Sequence, residues 1–146
     1  FLHCNDLTYL NNGEEELGFE LEGLFRLGNN SRGYKKGKKV SFTSWYSKNI
    51  NHDFAATTKL NYTKTTKYEG TDSELEAAGM TSPSRVASLT GSASLSASIG
   101  VNYWFSGGKL AGTKLGVEYK KAIYQDVEGP QLAQNDAYII GLQKSF

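Results

Sequence analysis

Between Ser92 and Phe105 the chain alternates with a period of two. Ala93, Leu95, Ala97, Ile99, Val101, Tyr103 and Phe105 hold one set of positions, and Ser92, Ser94, Ser96, Ser98, Gly100, Asn102 and Trp104 hold the other. A helix would scatter both sets around its circumference, whereas a strand sends successive side chains to opposite faces. The spacing predicts a strand with a different solvent on each face. Residues 17–27 repeat the pattern: Leu17, Phe19, Leu21, Phe25 and Leu27 share a face with Gly23, against Gly18, Glu20, Glu22 and Arg26, with Leu24 as the exception. In 39–47, Val40, Phe42 and Tyr46 oppose Lys39, Ser41, Thr43 and Ser47. In 54–67, Phe54, Ala56, Leu60 and Tyr62 oppose Thr57, Lys59, Asn61 and Thr63. In 114–123, Leu115, Val117, Tyr119 and Ile123 oppose Gly116, Glu118 and Lys120, and in the last segment Tyr138, Ile140, Leu142 and Phe146 oppose Gln143 and Ser145. Leu7 and Tyr9 mark the end of one more strand.

These segments run about 10 to 14 residues, against roughly 5–6 for a globular strand and about 9–11 for a tilted membrane crossing. Their connections alternate in length. Residues 28–38, 69–91 and 125–134 are long or medium polar loops, and 48–53 and 106–113 are short turns. Outer-membrane barrels pair short periplasmic turns with longer external loops. The expected fold class is therefore all-β, an antiparallel up-and-down transmembrane β-barrel. One barrel segment spans 1–146, poorly defined over 1–15 and amphipathic over 16–146. Six or seven strands are too few for a single-chain barrel of eight or more, and open edges are not tolerated in lipid. The segment is thus expected to be the C-terminal part of a larger barrel, with a chain that closes with other chains as the alternative. The start at Phe1, without a basic and then apolar leader, fits either a removed signal peptide or a sequence beginning partway along a longer protein.

Composition alters this picture little. The 146 residues carry 16 Lys+Arg and 15 Asp+Glu, a net charge of +1 that gives no general argument for nucleic acid. The mean hydropathy of -0.48, read alone, describes a soluble protein. A β-barrel escapes that test, because only alternate positions need be apolar. A lone Cys4 excludes an internal disulfide framework and a Cys-rich zinc site.

The C-terminus carries a recognisable pattern. Phe146 is terminal, Gly141 lies five residues earlier, and Leu142, Ile140 and Tyr138 continue the apolar alternation. This resembles the signal by which the barrel assembly machinery recognises outer-membrane barrels. Lys144 departs from it, since an apolar residue usually stands there. With the C-terminus periplasmic, Tyr46, Phe54, Phe105 and Phe146 fall at the inner rim and Phe25, Tyr62, Tyr119 and Tyr138 toward the outer rim, as two aromatic girdles.

From about Gly18 to Phe146 the chain resembles the C-terminal half of the barrels grouped with the meta-pathway phenol-degradation proteins. The resemblance rests on FRLGNNSRGYKKGKKVSFTSW, YEGTDSELEAAGMTSPSR, GVNYWF and AIYQDVEGPQLAQNDAYIIGLQKSF. That family shows a similar Tyr-Gln-Asp…Gly-Pro-Gln segment before a last strand ending in Phe. The resemblance implies an outer-membrane transporter passing small hydrophobic or aromatic compounds.

Several residues are candidates for function. Glu20, Glu22, Arg26, Lys39, Lys59, Glu118 and Lys120 fall on the polar face and would line a lumen, either as a polar path or as a hydrogen-bonded plug. Their mixed signs argue against strong anion or cation selectivity. Arg32, Lys35, Lys36 and Lys38 form the one basic cluster. On an external loop this suits phosphates of lipopolysaccharide in the outer leaflet better than nucleic acid, with a plain solvated loop as the alternative. The acidic residues Asp72, Glu74, Glu76, Asp126 and Glu128 lack the D-x-D-x-D-G spacing of a Ca²⁺ loop, so no metal is expected. His3 and His52 have no serine placed by a recognised motif, so neither catalysis nor a cofactor is expected. The expected function is a channel or transporter for small solutes in the outer membrane of a Gram-negative-type envelope. The alternatives are a structural or interaction barrel with a closed lumen, and a soluble ligand-binding β-barrel.

Overall fold

A computed structural model describes residues 2–3, 7–11, 13–70, 72, 74, 77 and 86–144. It is an all-β structure built on one open antiparallel sheet. The strands are β1 (Leu2–His3), β2 (Leu7–Asn11), β3 (Glu15–Leu24), β4 (Lys39–Asn49), β5 (Phe54–Thr65), β6 (Ser92–Phe105), β7 (Thr113–Val127) and β8 (Ala137–Lys144). From β3 to β8 each strand pairs with the next, up and down, while β1 and β2 lie end to end along the free side of β3. Together β1 and β2 act as one interrupted strand, which is the extra strand that Leu7 and Tyr9 mark.

The register carries the alternation across most of the sheet, with Ser44, Lys64, Lys121 and Asp126 as polar positions on the otherwise apolar face. Leu21, Phe42, Tyr62, Leu95 and Tyr124 form one transverse row, and Ala56, Val101, Val117 and Ile140 another. The opposite face shows rows such as Glu20, Thr43, Asn61 and Ser96, or Thr57, Gly100, Glu118 and Ile139. Burial runs against the usual order. Ile99 on the apolar face is 62% exposed, whereas its neighbour Ser98 on the polar face is 7% exposed. Phe42, Phe54, Leu60, Tyr62, Val101 and Val117 are also exposed, and Ser41 and Ser96 on the polar face are buried. A recess of about 310 Å³ draws lining residues from five strands, β4 to β8, mostly from their polar positions. The sheet therefore curls toward its polar side and presents its apolar side outward.

Two strands differ from the periodic reading. The strand expected over 17–27 ends at Leu24. Phe25 turns back so that its ring covers Gly23, a position where a Cβ would sit 2.8 Å from that ring, and Arg26 donates to the Gly37 carbonyl at 2.7 Å. In β7 the register shifts between the partners of Leu95 and Ser96, which pair with Tyr124 and Ala122 and leave Ile123 as an extra residue. Such a bulge resets the phase of a strand. Tyr124, not Ile123, thereby joins the apolar row of Leu95 and Tyr62.

The connections sort by length onto two ends. Residues 50–53 and 106–112 make short links at one end. Asn51 Oδ1 accepts the amides of Asp53 and Phe54 and closes the first as a tight turn. The longer connections, which follow β3, β5 and β7, leave from the other end. No helix among the described residues is long and apolar enough to cross a membrane.

Candidate functional site

The polar concave face is assembled by register. Small side chains on β6 (Ser94, Ser96, Ser98 and Gly100) leave room above the sheet, so Lys59 on β5 reaches across β6 to Glu118 on β7, Nζ to Oε2 at 3.0 Å. Lys39 meets Glu22 at 3.2 Å across the β3–β4 ladder. Between these pairs lies a lattice of neutral groups. Asn61 Nδ2 donates to Thr43 Oγ1 at 2.8 Å and to Ser41 Oγ at 3.3 Å, Ser41 and Thr63 share a bond of 3.0 Å, and Thr63 donates to Asn61 Oδ1. Each group has a partner, as polar side chains withdrawn from bulk water require.

Trp45 is one of two indoles on this face. Its indole lies over Gly18, where a Cβ would come within 2.1 Å of the ring, and its Nε1 donates to Glu16 Oε1 at 3.4 Å. Trp45, Lys59, Asn102, Glu118 and Ile139 wall the recess, and Gly116 and Gly141, opposite each other in register, form its floor. Nearer the short turns, Lys114 Nζ stands 4.6 Å from the Trp104 ring centroid. By register this face carries four carboxylates (Glu16, Glu20, Glu22 and Glu118) and four ammonium groups (Lys39, Lys59, Lys114 and Lys120). Its formal charge is balanced, and the half-exposed pairs contribute at most about 1 kcal/mol each.

The sequence candidates thus separate. Glu22 with Lys39 and Lys59 with Glu118 are brought together. Glu20 stands in register with Thr43, and Lys120 with Ser98 and Ala137. Arg26 lies beyond the end of β3, on the loop, held by Gly37. Trp45, Glu16, Asn61 and the Trp104–Lys114 pair were not singled out by the sequence reading. Parity alone could have placed Trp45 with Ser41, Thr43 and Ser47, but an indole among hydroxyls reads as an apolar residue out of phase.

The basic loop residues meet the acidic loop that follows β5. Lys35 and Glu69 exchange backbone hydrogen bonds of 2.9 and 3.0 Å, and their side chains pair at 2.8 Å. Lys38 Nζ lies 4.0 Å from Glu69, and Arg32 pairs with Asp72 at 3.4 Å and Glu74 at 3.7 Å. Gly37 and Gly70 permit the contact, since a Cβ at either would strike the backbone of the facing loop. Lys35, with Lys38 behind it, holds the Glu69 carboxyl below the usual carboxylate range. Lys36 is exposed. Farther along the same end, Gln131 Nε2 donates to the carbonyls of Leu89, Gly91 and Glu128, all at 2.9 Å, and Lys67 pairs with Glu128 at 3.2 Å.

Tyr138, Ile140, Gly141 and Leu142 of the C-terminal pattern lie on β8, while Phe146 is outside the described residues, as are Cys4 and Glu76. At the short-turn end, His52 Nδ1 and Asp53 Oδ1 are 3.2 Å apart, and Asp53 is held below its ordinary pKa by His52 and by the Ser106 hydroxyl. Among the described residues no group of three His, Cys, Asp or Glu side chains could hold a metal ion. No protein-family model, curated protein or solved structure matches the chain.

Proposed function

We propose that the chain forms part of a transmembrane β-barrel in an outer-membrane-type bilayer and that small solutes pass along its concave face. The observation that carries this reading is the inverted burial: the outward face is apolar and exposed, and the inward face is polar and hydrogen-bonded. In water that arrangement leaves a large apolar surface uncovered, which soluble proteins avoid. In a bilayer the apolar face meets hydrocarbon and the polar face lines a hydrated interior. A soluble ligand-binding barrel would face its apolar residues inward.

Aromatic placement supports the same reading. Phe54 and Tyr103, with centroids 4.6 Å apart, sit near the short turns, and Tyr119 and Tyr138, 5.1 Å apart, sit near the long-loop end of β8. Rings of this kind favour the two interfaces of a membrane. The long loops then face outward and the short turns face the periplasm. Lipopolysaccharide is the outer-leaflet partner, although the pairing of Arg32, Lys35 and Lys38 with acidic neighbours weakens their pull on its phosphates. The charge balance of the concave face favours neutral or zwitterionic solutes, and a preference for aromatic ones rests on the family resemblance alone.

A second reading, a structural or interaction barrel with a closed lumen, draws on the lattice around Asn61 and the Lys59–Glu118 bridge, which fill space above the sheet. Two measurements separate the readings. The full-length protein in detergent should migrate faster unheated than boiled, and unchanged migration would count against any barrel. Proteoliposomes should then admit small uncharged solutes, and absence of flux would leave the closed barrel standing and remove transport. Substitution of Phe146 should lower assembly in the membrane, and normal insertion would dismiss the C-terminal signal and with it recognition by the assembly machinery at that residue.

A further inference from the structure

The two edges of the sheet run in the same direction. Six antiparallel ladders separate the β1/β2 edge from β8, and an even number of reversals restores the original sense. Neither edge has a partner on its outer side among the described residues. On β8, Tyr138, Ile140 and Leu142 are 78%, 73% and 71% exposed, well above the 40% of Val117 beside them, because a neighbour covers them on one side only. β8 also lacks the devices that blunt an edge. Its eight pairs with β7 run without a register shift, it has no proline, and its one charge, Lys144, stands at the end.

We infer that the sheet is closed by an odd number of further strands of the same polypeptide, the one beside β8 running antiparallel to it, and not by a second copy of this chain. The inference rests on the barrel reading above: direction excludes direct closure and a second copy, and the even strand number of bacterial single-chain barrels points to the same polypeptide. Joining β8 to β1/β2 directly would create a parallel ladder. Copies inserted in one orientation meet β8 to β1/β2, which is again parallel, and a β8-to-β8 pairing requires two copies inserted in opposite senses. An odd number of intervening strands makes every ladder antiparallel, and seven strand positions plus an odd number give the even total of bacterial single-chain barrels. The strand against β8 is further specified. It presents apolar residues beside Tyr138, Ile140 and Leu142 and small or polar ones beside Gly141 and Gln143, because directly opposed residues share a face.

The test places a benzophenone side chain, in separate variants of the full-length protein in its membrane, at Tyr138, Leu142, Leu7 and Leu10, and maps the photoproducts by mass spectrometry. The expected products are cross-links within one polypeptide to residues beyond 1–146. Leu142 should reach a residue about four positions before the one reached from Tyr138, and Leu10 a residue before the one reached from Leu7, the order of antiparallel neighbours. A dimer-sized product, the reverse order at either edge, a cross-link from β8 to residues 2–11, or no product at β8 overturns the inference. The same unirradiated samples are run unheated and boiled. Heat-modifiable migration with the wrong cross-links removes the closure rule and leaves the barrel, whereas loss of heat-modifiability removes both.

Discussion

Ile99 and Ile50 offer a direct contrast, because the two isoleucines are 62% and 64% exposed but face different surroundings on the proposed reading. Ile50 lies in the short turn after β4. Ile99 lies on the outward face of β6 between Thr58 and Tyr119, seven residues from Ser92 and six from Phe105. At a rise of about 3.3 Å per residue and a tilt of about 40°, six residues place it roughly 15 Å below the nearer strand end, close to the midplane of an apolar band about 25 Å tall. Arginine at that depth costs about 2–4 kcal/mol, whereas an exposed turn position in water changes by about 0.5 kcal/mol or less. Ile99→Arg should therefore lower the folded-to-unfolded ratio by about 30- to 1000-fold in reversible urea titrations from phospholipid vesicles, with Ile50→Arg near wild type. Water on the outward face predicts no difference between the two variants. Equal stabilities would thus refute the lipid assignment, whatever the behaviour of the rest of the sheet.

Three further outcomes follow from particular contacts. Gly18→Ala should drive the Trp45 indole off the sheet, cost about 1–3 kcal/mol through overpacking, and shift the tryptophan emission; an unchanged spectrum would contradict the stacking. Lys59→Met leaves Glu118 without its bridging ammonium, so the double variant Lys59→Met/Glu118→Gln should lose less than the sum of the single changes, with a coupling of about 1 kcal/mol in a double-mutant cycle; additive losses would deny the bridge. Because Glu69 has a folded pKa below its ordinary 4.5, the clamp it makes with Lys35 is fully present above that value and is lost as pH falls through the lowered one. Amide protection factors at Lys35 and Glu69, referred to the intrinsic rate at each pH, should fall in acid, and Glu69→Gln should remove the pH step while leaving the backbone bridge; a step that persists in the variant assigns the titration elsewhere.

The strands were legible because alternation needs only neighbours in sequence. β6 is uninterrupted over Ser92–Phe105, and β4, β5 and β8 follow the expected faces. The misreadings are local and have local causes. Ile123 keeps the apolar parity that the β7 bulge cancels, and a bulge depends on the partner strand, here at Leu95 and Ser96, which a single-strand pattern does not contain. Phe25 and Leu27 keep the parity of β3, but the chain leaves the sheet where the ring folds over Gly23. The concave face was half legible. Its charges could be assigned by parity, but which carboxylate meets which ammonium depends on the reach of Lys59 across β6, and that reach depends on the small size of Ser98 and Gly100. The loop clamp was the least legible part. Arg32 and Asp72 are 40 residues apart and read in sequence as two separate charged loops, one basic and one acidic.

The inverted burial has a consequence for how the sequence can drift. A side chain in an ordinary core fills a fixed mould, so shortening it leaves a void that its neighbours cannot close. On the proposed membrane reading hydrocarbon is the neighbour of Ile99, Ile140 and Leu142, and the mould there is a liquid that would flow into any vacated volume. Size and branching at those positions become nearly free, and only oiliness is held. The rigid mould lies on the other face, where Ser41, Ser96 and Ser98 are packed beneath charged and amide side chains. In this sheet the hydroxyls hold the shape that leucines hold elsewhere.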